Sequence, residues 1–298
     1  MKTAKRLAVA GGALALLLAL LSCGKKEPAS ENTKQEEKKE EKEGEEKKSV
    51  AVRMGIDHSA WDRLTGKYVD GAGLVAYERW KSDATDREAL KSYLEQFAAT
   101  PEPSAAGNEL GASLTNAYNA LTVSWVLENF PTESIRALKD SFTEARHMAG
   151  GERVSLDDIE HGTLRPKLGY RVHAAVSCAS LSCPPLSSDA YTADGFEGQL
   201  DAAMSRWLAR GDLNRILPAE RKVQISEVFK WFLEDFQKAG GLRSVLGKYA
   251  PAQYRDFLAR EDYEIEYMSY DWGLNDQNGL GKDYSKLQLL KDKVKEKL

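Results

Sequence analysis

The sequence predicts an α+β fold, a helix-rich single domain with a small antiparallel sheet, on three observations. Apolar residues recur at helical spacing in more segments than they alternate at strand spacing. The few alternating runs are not arranged as strand–helix–strand units, so their connections read as antiparallel. Setting aside the first 49 positions leaves about 250 residues, within reach of one domain with a sizeable core.

Residues 1–23 read as an export signal. Lys2, Lys5 and Arg6 form a basic start, Leu7 to Leu21 an unbroken run of Ala, Leu, Gly and Val, and Ser22-Cys23-Gly24 a small-residue exit. The run is about 15 residues, short of the roughly 20 that span a bilayer as a helix. Leu20-Leu21-Ser22-Cys23 resembles the bacterial lipoprotein signal, although a small residue is more usual than Leu at the second position. That resemblance implies acylation of Cys23, a palmitate-type anchor and a place in the bacterial cell envelope. The domain would then sit on the periplasmic or extracellular side, with the membrane as a partner through the N-terminal lipid. Each buried methylene would contribute about 0.8 kcal/mol to that anchorage. Residues 24–49 contain 8 Lys and 9 Glu and no aliphatic side chain larger than Ala, which predicts a disordered, solvated tether.

The body, residues 50–298, is mildly acidic. The whole chain carries −4 and the signal is basic, so the remainder is more negative still. With no basic cluster, nucleic-acid binding is excluded as an expectation. Lys286 to Leu298 is Lys-rich but partly balanced by Asp292 and Glu296, and reads as a solvated helix. No internal repeat is found.

The elements follow in order. Gly73 to Tyr77 suggests a short strand after an irregular start. Asp86 to Phe97 places Leu90, Tyr93, Leu94 and Phe97 on one helical face. Ala112 to Leu127 has no charged residue yet keeps helical spacing through Leu114, Ala117, Tyr118, Leu121 and Trp125, which predicts a helix buried on most sides. Asn116 and Asn119 on that helix need hydrogen-bond partners, and nearby loop backbone is the expected one. Ser155-Leu156-Asp157-Asp158 caps a short helix ended by Pro166, with Glu160 and His161 in its second half. Arg171 to Ser177 alternates, with Val172, Ala174 and Val176 opposite Arg171, His173 and Ala175, and reads as the best strand in the chain. A helix starting at Asp194 buries Phe196, Leu200, Ala203, Met204 and Trp207 and ends near Gly211. Lys222 to Ile225 is a strand, Ser226 caps a helix to Lys238, two further helices follow, and Tyr263 to Met268 is the last strand.

The string RVHAAVSCASLSCPPL at Arg171 to Leu186 resembles the signature of the uncharacterised family of domains of unknown function numbered 547. HSAWDRL from His58, NAYNALT from Asn116, SLDDIEHGTLR from Ser155, ISEVFKWFLEDF from Ile225 and YDWGLN from Tyr270 agree with it in order. The resemblance implies no established activity, substrate or cofactor. One departure is Gly111-Ala112-Ser113, where the family tends to bulky aromatics; the expectation is looser packing or a cavity there.

The candidate chemistry lies between His173 and Cys183. A Cys–His pair can form an activated thiolate, with a third group orienting the imidazole; Glu160, Asn119 and Asp271 are available for that role. On a regular strand, however, His173 and Cys178 point to opposite faces about 16 Å apart, so a dyad requires the chain to fold back after Ser177. Cys178 and Cys183 read first as a disulfide, then as a functional thiol or redox-labile bridge, and last as a metal site, because Cys-x4-Cys departs from the usual ligand spacing. No metal or cofactor is assigned. Asn116, Arg171, Ser180 and Asp271 are the candidate pocket residues, and His173 alone reads as a satisfied structural histidine. Two functions remain. The chain is read first as an envelope binding or accessory protein for a peptide, glycan or protein partner, using an exposed cluster of His58, Trp61, Asp271 and Trp272 if the chain's two ends meet. The alternative is a thiol-dependent hydrolase or transferase acting on envelope peptides or amides through Cys178 and His173. A buried helix followed by a His-bearing strand resembles the papain-like or transglutaminase-like layout, but no Cys stands at the start of that helix.

Overall fold

The computed structural model describes residues 47–295. Cys23, the rest of the expected signal and most of the charged tether lie outside the described residues. The tether's expected end does not: Lys47 pairs with Asp157 at 3.7 Å, and the Lys48 N–H donates to Asp158 Oδ1 at 3.1 Å. Gly162 permits this seat, because a Cβ there would collide with the Lys48 carbonyl.

Helices α1 (Ser59–Tyr68), α2 (Tyr77–Ser82) and α3 (Ala84–Glu95) wrap one end of the body. Asp83 caps α3 by accepting the Asp86 N–H at 3.0 Å, which satisfies one of the donors left open at a helix start. Trp61, Trp80 and Tyr93 pack ring against ring where these helices meet. They rest on α4 (Gly107–Asn129), a 23-residue helix buried continuously from Gly111 to Val123. The absence of charge from Ala112 to Leu127 is explained by that position: a stretch covered on nearly all sides has no face on which a charge could be hydrated. The small residues at Gly111-Ala112-Ser113 do not open a cavity. The ring of Phe196 fills the space, and a Cβ on Gly111 would strike its Cε1.

A two-stranded antiparallel hairpin, β1 (His147–Ala149) and β2 (Glu152–Val154), leads to α5 (Leu156–Ile159), where Ser155 and Asp158 form a reciprocal capping box. A single π-helical turn, Glu160–Leu164, then α6 (Arg165–Leu168) and a 3-10 turn, Gly169–Arg171, deliver the chain to α7 (Val172–Ala175). The expected strand at Arg171 to Ser177 is therefore a helical turn followed by extended backbone. Every residue from Val172 to Ser177 is buried, so the alternation marks no exposed face, and Val172 and Val176 also satisfy the helical i, i+4 spacing. The expected strand at Gly73 to Tyr77 is reduced to bridges from Val75 to Val69 and to Asp276.

Helix α8 (Phe196–Ala209) buries the five residues expected of it. Strands β3 (Arg215–Leu217) and β4 (Lys222–Ser226) pair antiparallel, whereas β5 (Glu264–Met268) pairs parallel to β4. The larger sheet is thus mixed rather than antiparallel. The crossover it requires is supplied by α9 (Val228–Trp231), α10 (Leu233–Lys238), α11 (Leu242–Tyr249) and α12 (Arg255–Leu258). Helix α13 (Tyr284–Lys295) is the last described element. The fold class is α+β.

Two apolar clusters make up the interior. One gathers α1 to α5 with Phe196 and Leu200; the other gathers Ala203, Met204 and Trp207 with the mixed sheet and α9 to α12. Both α7 and α8 contribute to each, so His173 and the cysteine loop that follows lie along the seam.

Candidate functional site

After α7 the chain is held in place by α4. The Asn119 side chain donates to the Ala175 carbonyl at 3.0 Å and accepts the Ser177 N–H at 2.8 Å. Asn116 does the same one turn earlier, donating to the Tyr191 carbonyl at 2.8 Å and accepting the Tyr191 N–H at 2.9 Å. Both amides serve loop backbone, as expected from the sequence, and neither reaches a sulfur. They make the loop's position a property of the most buried helix.

Beyond Ser177 the chain reverses. Ala179 sits at φ +60°, a left-handed conformation that disfavours a Cβ, and it is almost fully buried. The loop is then fastened to residues 271–275: Leu181 N–H donates to Gly273 O at 2.7 Å, Ser182 N–H to Asp271 O at 3.2 Å and Asn275 N–H to Ala179 O at 3.3 Å. Asp271 stabilises the partner strand of this clasp, with Oδ1 accepting from Gly273 N–H at 2.9 Å and from the Ser285 hydroxyl at 2.6 Å. It orients no imidazole.

The reversal brings the two cysteines together as free thiols. Their sulfurs are 3.0 Å apart, outside the roughly 2.05 Å of a disulfide, so the bridge expected first from the sequence is absent here. The Cys178 N–H donates to Cys183 Sγ at 2.9 Å. Cys178, half-buried, also contacts the Ser180 hydroxyl and the Tyr270 hydroxyl, each at 3.1 Å, and those hydroxyls lie 2.6 Å from one another. Around it, Tyr270, Trp231 and Trp272 form an aromatic group with centroid separations of 4.7 Å, 5.9 Å and 4.6 Å.

This surrounding divides the acidity of the pair. The hydrogen bond with Cys183, seconded by Ser180 and Tyr270, pulls the Cys178 thiol below its ordinary value against the opposing effect of burial. Burial pushes the Cys183 thiol well up, and the neighbouring Cys178 adds to that. Burial also raises the Tyr270 phenol, which stays protonated and able to donate.

His173 is elsewhere engaged. Its Nε2 lies 2.8 Å from Asp235 Oδ2, its ring stacks on Phe232 at 3.9 Å, and no hydrogen bond joins it to either sulfur among the described residues. Burial lowers the imidazole's pKa, although Asp235 opposes this. Asp235 resists its own burial and is held well below the carboxylate range by His173 and then Arg165, whose Nε is 2.7 Å away. Glu160 occupies the π turn and is buried. It is one of the smaller electrostatic influences on Tyr118, His173 and Cys178. Arg171 turns to Glu197 at 2.7 Å and Asp201 at 3.6 Å, on a different surface.

The cluster of His58, Trp61, Asp271 and Trp272 does not form as expected. Trp61 is buried, and His58 binds the Tyr93 hydroxyl at 2.8 Å, while Trp272 packs on Trp231 and under Arg136. The two ends of the body do meet, through Val75 N–H donating to Asn275 O at 2.9 Å. Tyr270, Tyr118 and Asp235 were missed as site residues. Tyr270 opens the YDWGLN string and Asp235 falls inside ISEVFKWFLEDF, which is the only signal either one gave. Among the described residues, no group of three or more His, Cys, Asp and Glu side chains could hold a metal ion, and no helix is long and apolar enough to cross a membrane.

Residues 104–208 match the family described as protein of unknown function, DUF547. The match takes in Asn116, Asn119, Glu160, His173, Cys178 and Cys183, and leaves Asp235 and Tyr270 outside it. No curated protein and no solved structure matches the chain.

Proposed function

We propose that the DUF547 segment of this chain carries a dithiol centre, in which Cys178 is the nucleophile and Cys183 the resolving thiol of a thiol–disulfide exchange. The observation that carries the reading is the pair of sulfurs at 3.0 Å with opposite shifts in acidity. A partly exposed thiol whose pKa is lowered can attack; a buried one whose pKa is raised waits. The Cys178 thiolate attacks one sulfur of a substrate disulfide, forming a mixed disulfide and releasing the first substrate thiolate. Cys183 then loses its proton, attacks Cys178 Sγ and expels the second substrate thiol, leaving a Cys178–Cys183 disulfide. Two electrons pass to the substrate, and the reverse sequence oxidises a substrate dithiol. Such chemistry suits an exported protein, and we place this one in the bacterial envelope, tethered through an acylated Cys23.

Trapping tests the exchange. The Cys183→Ser variant should accumulate a mixed disulfide at Cys178 when mixed with a small aromatic disulfide, whereas the parent should release both halves and become internally bridged. A Cys183→Ser protein that forms no adduct rules the reading out. Palmitate labelling in a bacterial host, lost in Cys23→Ser, tests the anchor.

The His173–Asp235 pair favours one other reading, the thiol hydrolase or transferase, because a carboxylate at 2.8 Å orients an imidazole as such enzymes require. The two diverge at Cys183: hydrolysis would survive its replacement by Ser, and complete exchange would not.

A further inference from the structure

Helix α13 has apolar side chains that nothing covers. Leu287 and Leu290 are 46% and 59% exposed, and Leu289, on the far side, is 61% exposed. Leu287 and Leu290 lie three apart, hence on one face. The start of the helix is fastened to the body: the Trp272 N–H donates to Ser285 Oγ at 2.9 Å, and the Ser285 hydroxyl donates to Asp271. From Lys286 to Leu290 every residue is exposed.

The charges are arranged around that stripe. Lys291 lies one turn from Leu287 on one border, and Lys286, which pairs with Asp283 at 3.4 Å, lies one turn from Leu290 on the other. An apolar stripe bordered by lysines on both edges suits a surface that accepts the leucines and attracts the cations together. A second copy of the helix would set lysines against lysines along both borders, which opposes a homodimeric seam.

We infer that α13 is an interfacial anchor that lays Leu287 and Leu290 into the headgroup region of an anionic phospholipid bilayer. This surface is independent of the acyl chain and of the thiol chemistry. Because the helix is rooted on Asp271 and Trp272, which clasp the cysteine loop, docking would also fix how Cys178 faces the membrane.

The test uses unacylated protein from Gly24 onward, which contains the whole folded body, and vesicles in a sedimentation assay. Binding to vesicles rich in phosphatidylglycerol should exceed binding to pure phosphatidylcholine by about tenfold or more, and should fall with added salt. Leu287→Ser/Leu290→Ser and Lys286→Glu/Lys291→Glu should each bring it down to the phosphatidylcholine level. Leu289→Ser should bind like the parent. Unchanged Cys178 alkylation shows that the variants remain folded. Equal binding to both vesicle types, or full binding by the double-leucine variant, overturns the inference. So does a dimer that the double-leucine variant loses while the parent ignores vesicles, since the stripe would then belong to a second copy.

Discussion

Asn119 accepts the Ser177 N–H at 2.8 Å, and through that bond the most buried helix of the fold sets the residue next to the thiol pair. Both ends of the Asn119 amide are used on backbone that water does not reach. Asn119→Ala would leave the Ala175 carbonyl and the Ser177 N–H unpaired in the interior, at a cost of about 2–4 kcal/mol. Chemical denaturation should show that loss, together with altered alkylation of Cys178. A variant with parental stability and thiol reactivity would remove Asn119 as the positioning residue.

Gly111 is required by the ring of Phe196. Gly111→Ala should destabilise the protein by about 1–3 kcal/mol through overpacking, despite the better helix propensity of Ala. Gly111→Ala/Phe196→Leu should recover part of the loss. An increase in stability for the single variant would mean that α4 and α8 are not in contact at this point.

The helices were largely legible because their apolar residues repeat at a spacing only a helix satisfies: Leu90 with Tyr93, Phe196 with Leu200, and the charge-free run around Asn116. The turn carrying His173 was not, because burial on all sides removes the contrast between faces on which periodicity depends. The parallel pairing of β4 with β5 was hidden by the helices that cross between them. Of the site, the cysteines, Ser180 and both amides could be read from one neighbourhood of sequence. Tyr270 is 92 positions from Cys178 and Asp235 is 62 from His173, and only the fold brings those pairs together.

Tyr270 supplies a hydroxyl to Cys178 while its ring packs on Trp231 and Trp272. Tyr270→Phe keeps the ring and deletes the donor. The Cys178 pKa should rise, and alkylation at neutral pH should slow by about tenfold, with unfolding little changed. An unaltered rate would show that the hydroxyl does not stabilise the thiolate.

His147 gives the fold a dependence on acid. Burial lowers its pKa to about 4, and its Nε2 has no hydrogen-bond partner. Above pH 6.5 the imidazole is neutral in both folded and unfolded chains. As pH falls from 6.5 towards 4 the unfolded chain takes up a proton that the folded one refuses, so stability declines across that window, by at most about 3 kcal/mol. Denaturation midpoints measured across this range should fall for the parent and fall less steeply for His147→Leu. Identical slopes would show that His147 does not titrate differently on unfolding.

The central claim is the division of labour between the two sulfurs, and alkylation rates followed across pH at each cysteine by mass mapping test it most directly. The account predicts that, in the reduced protein, Cys178 is modified first, with a midpoint below that of an ordinary thiol, while Cys183 stays unreactive until the chain unfolds. Equal midpoints, or a Cys183 that reacts ahead of Cys178, would contradict it.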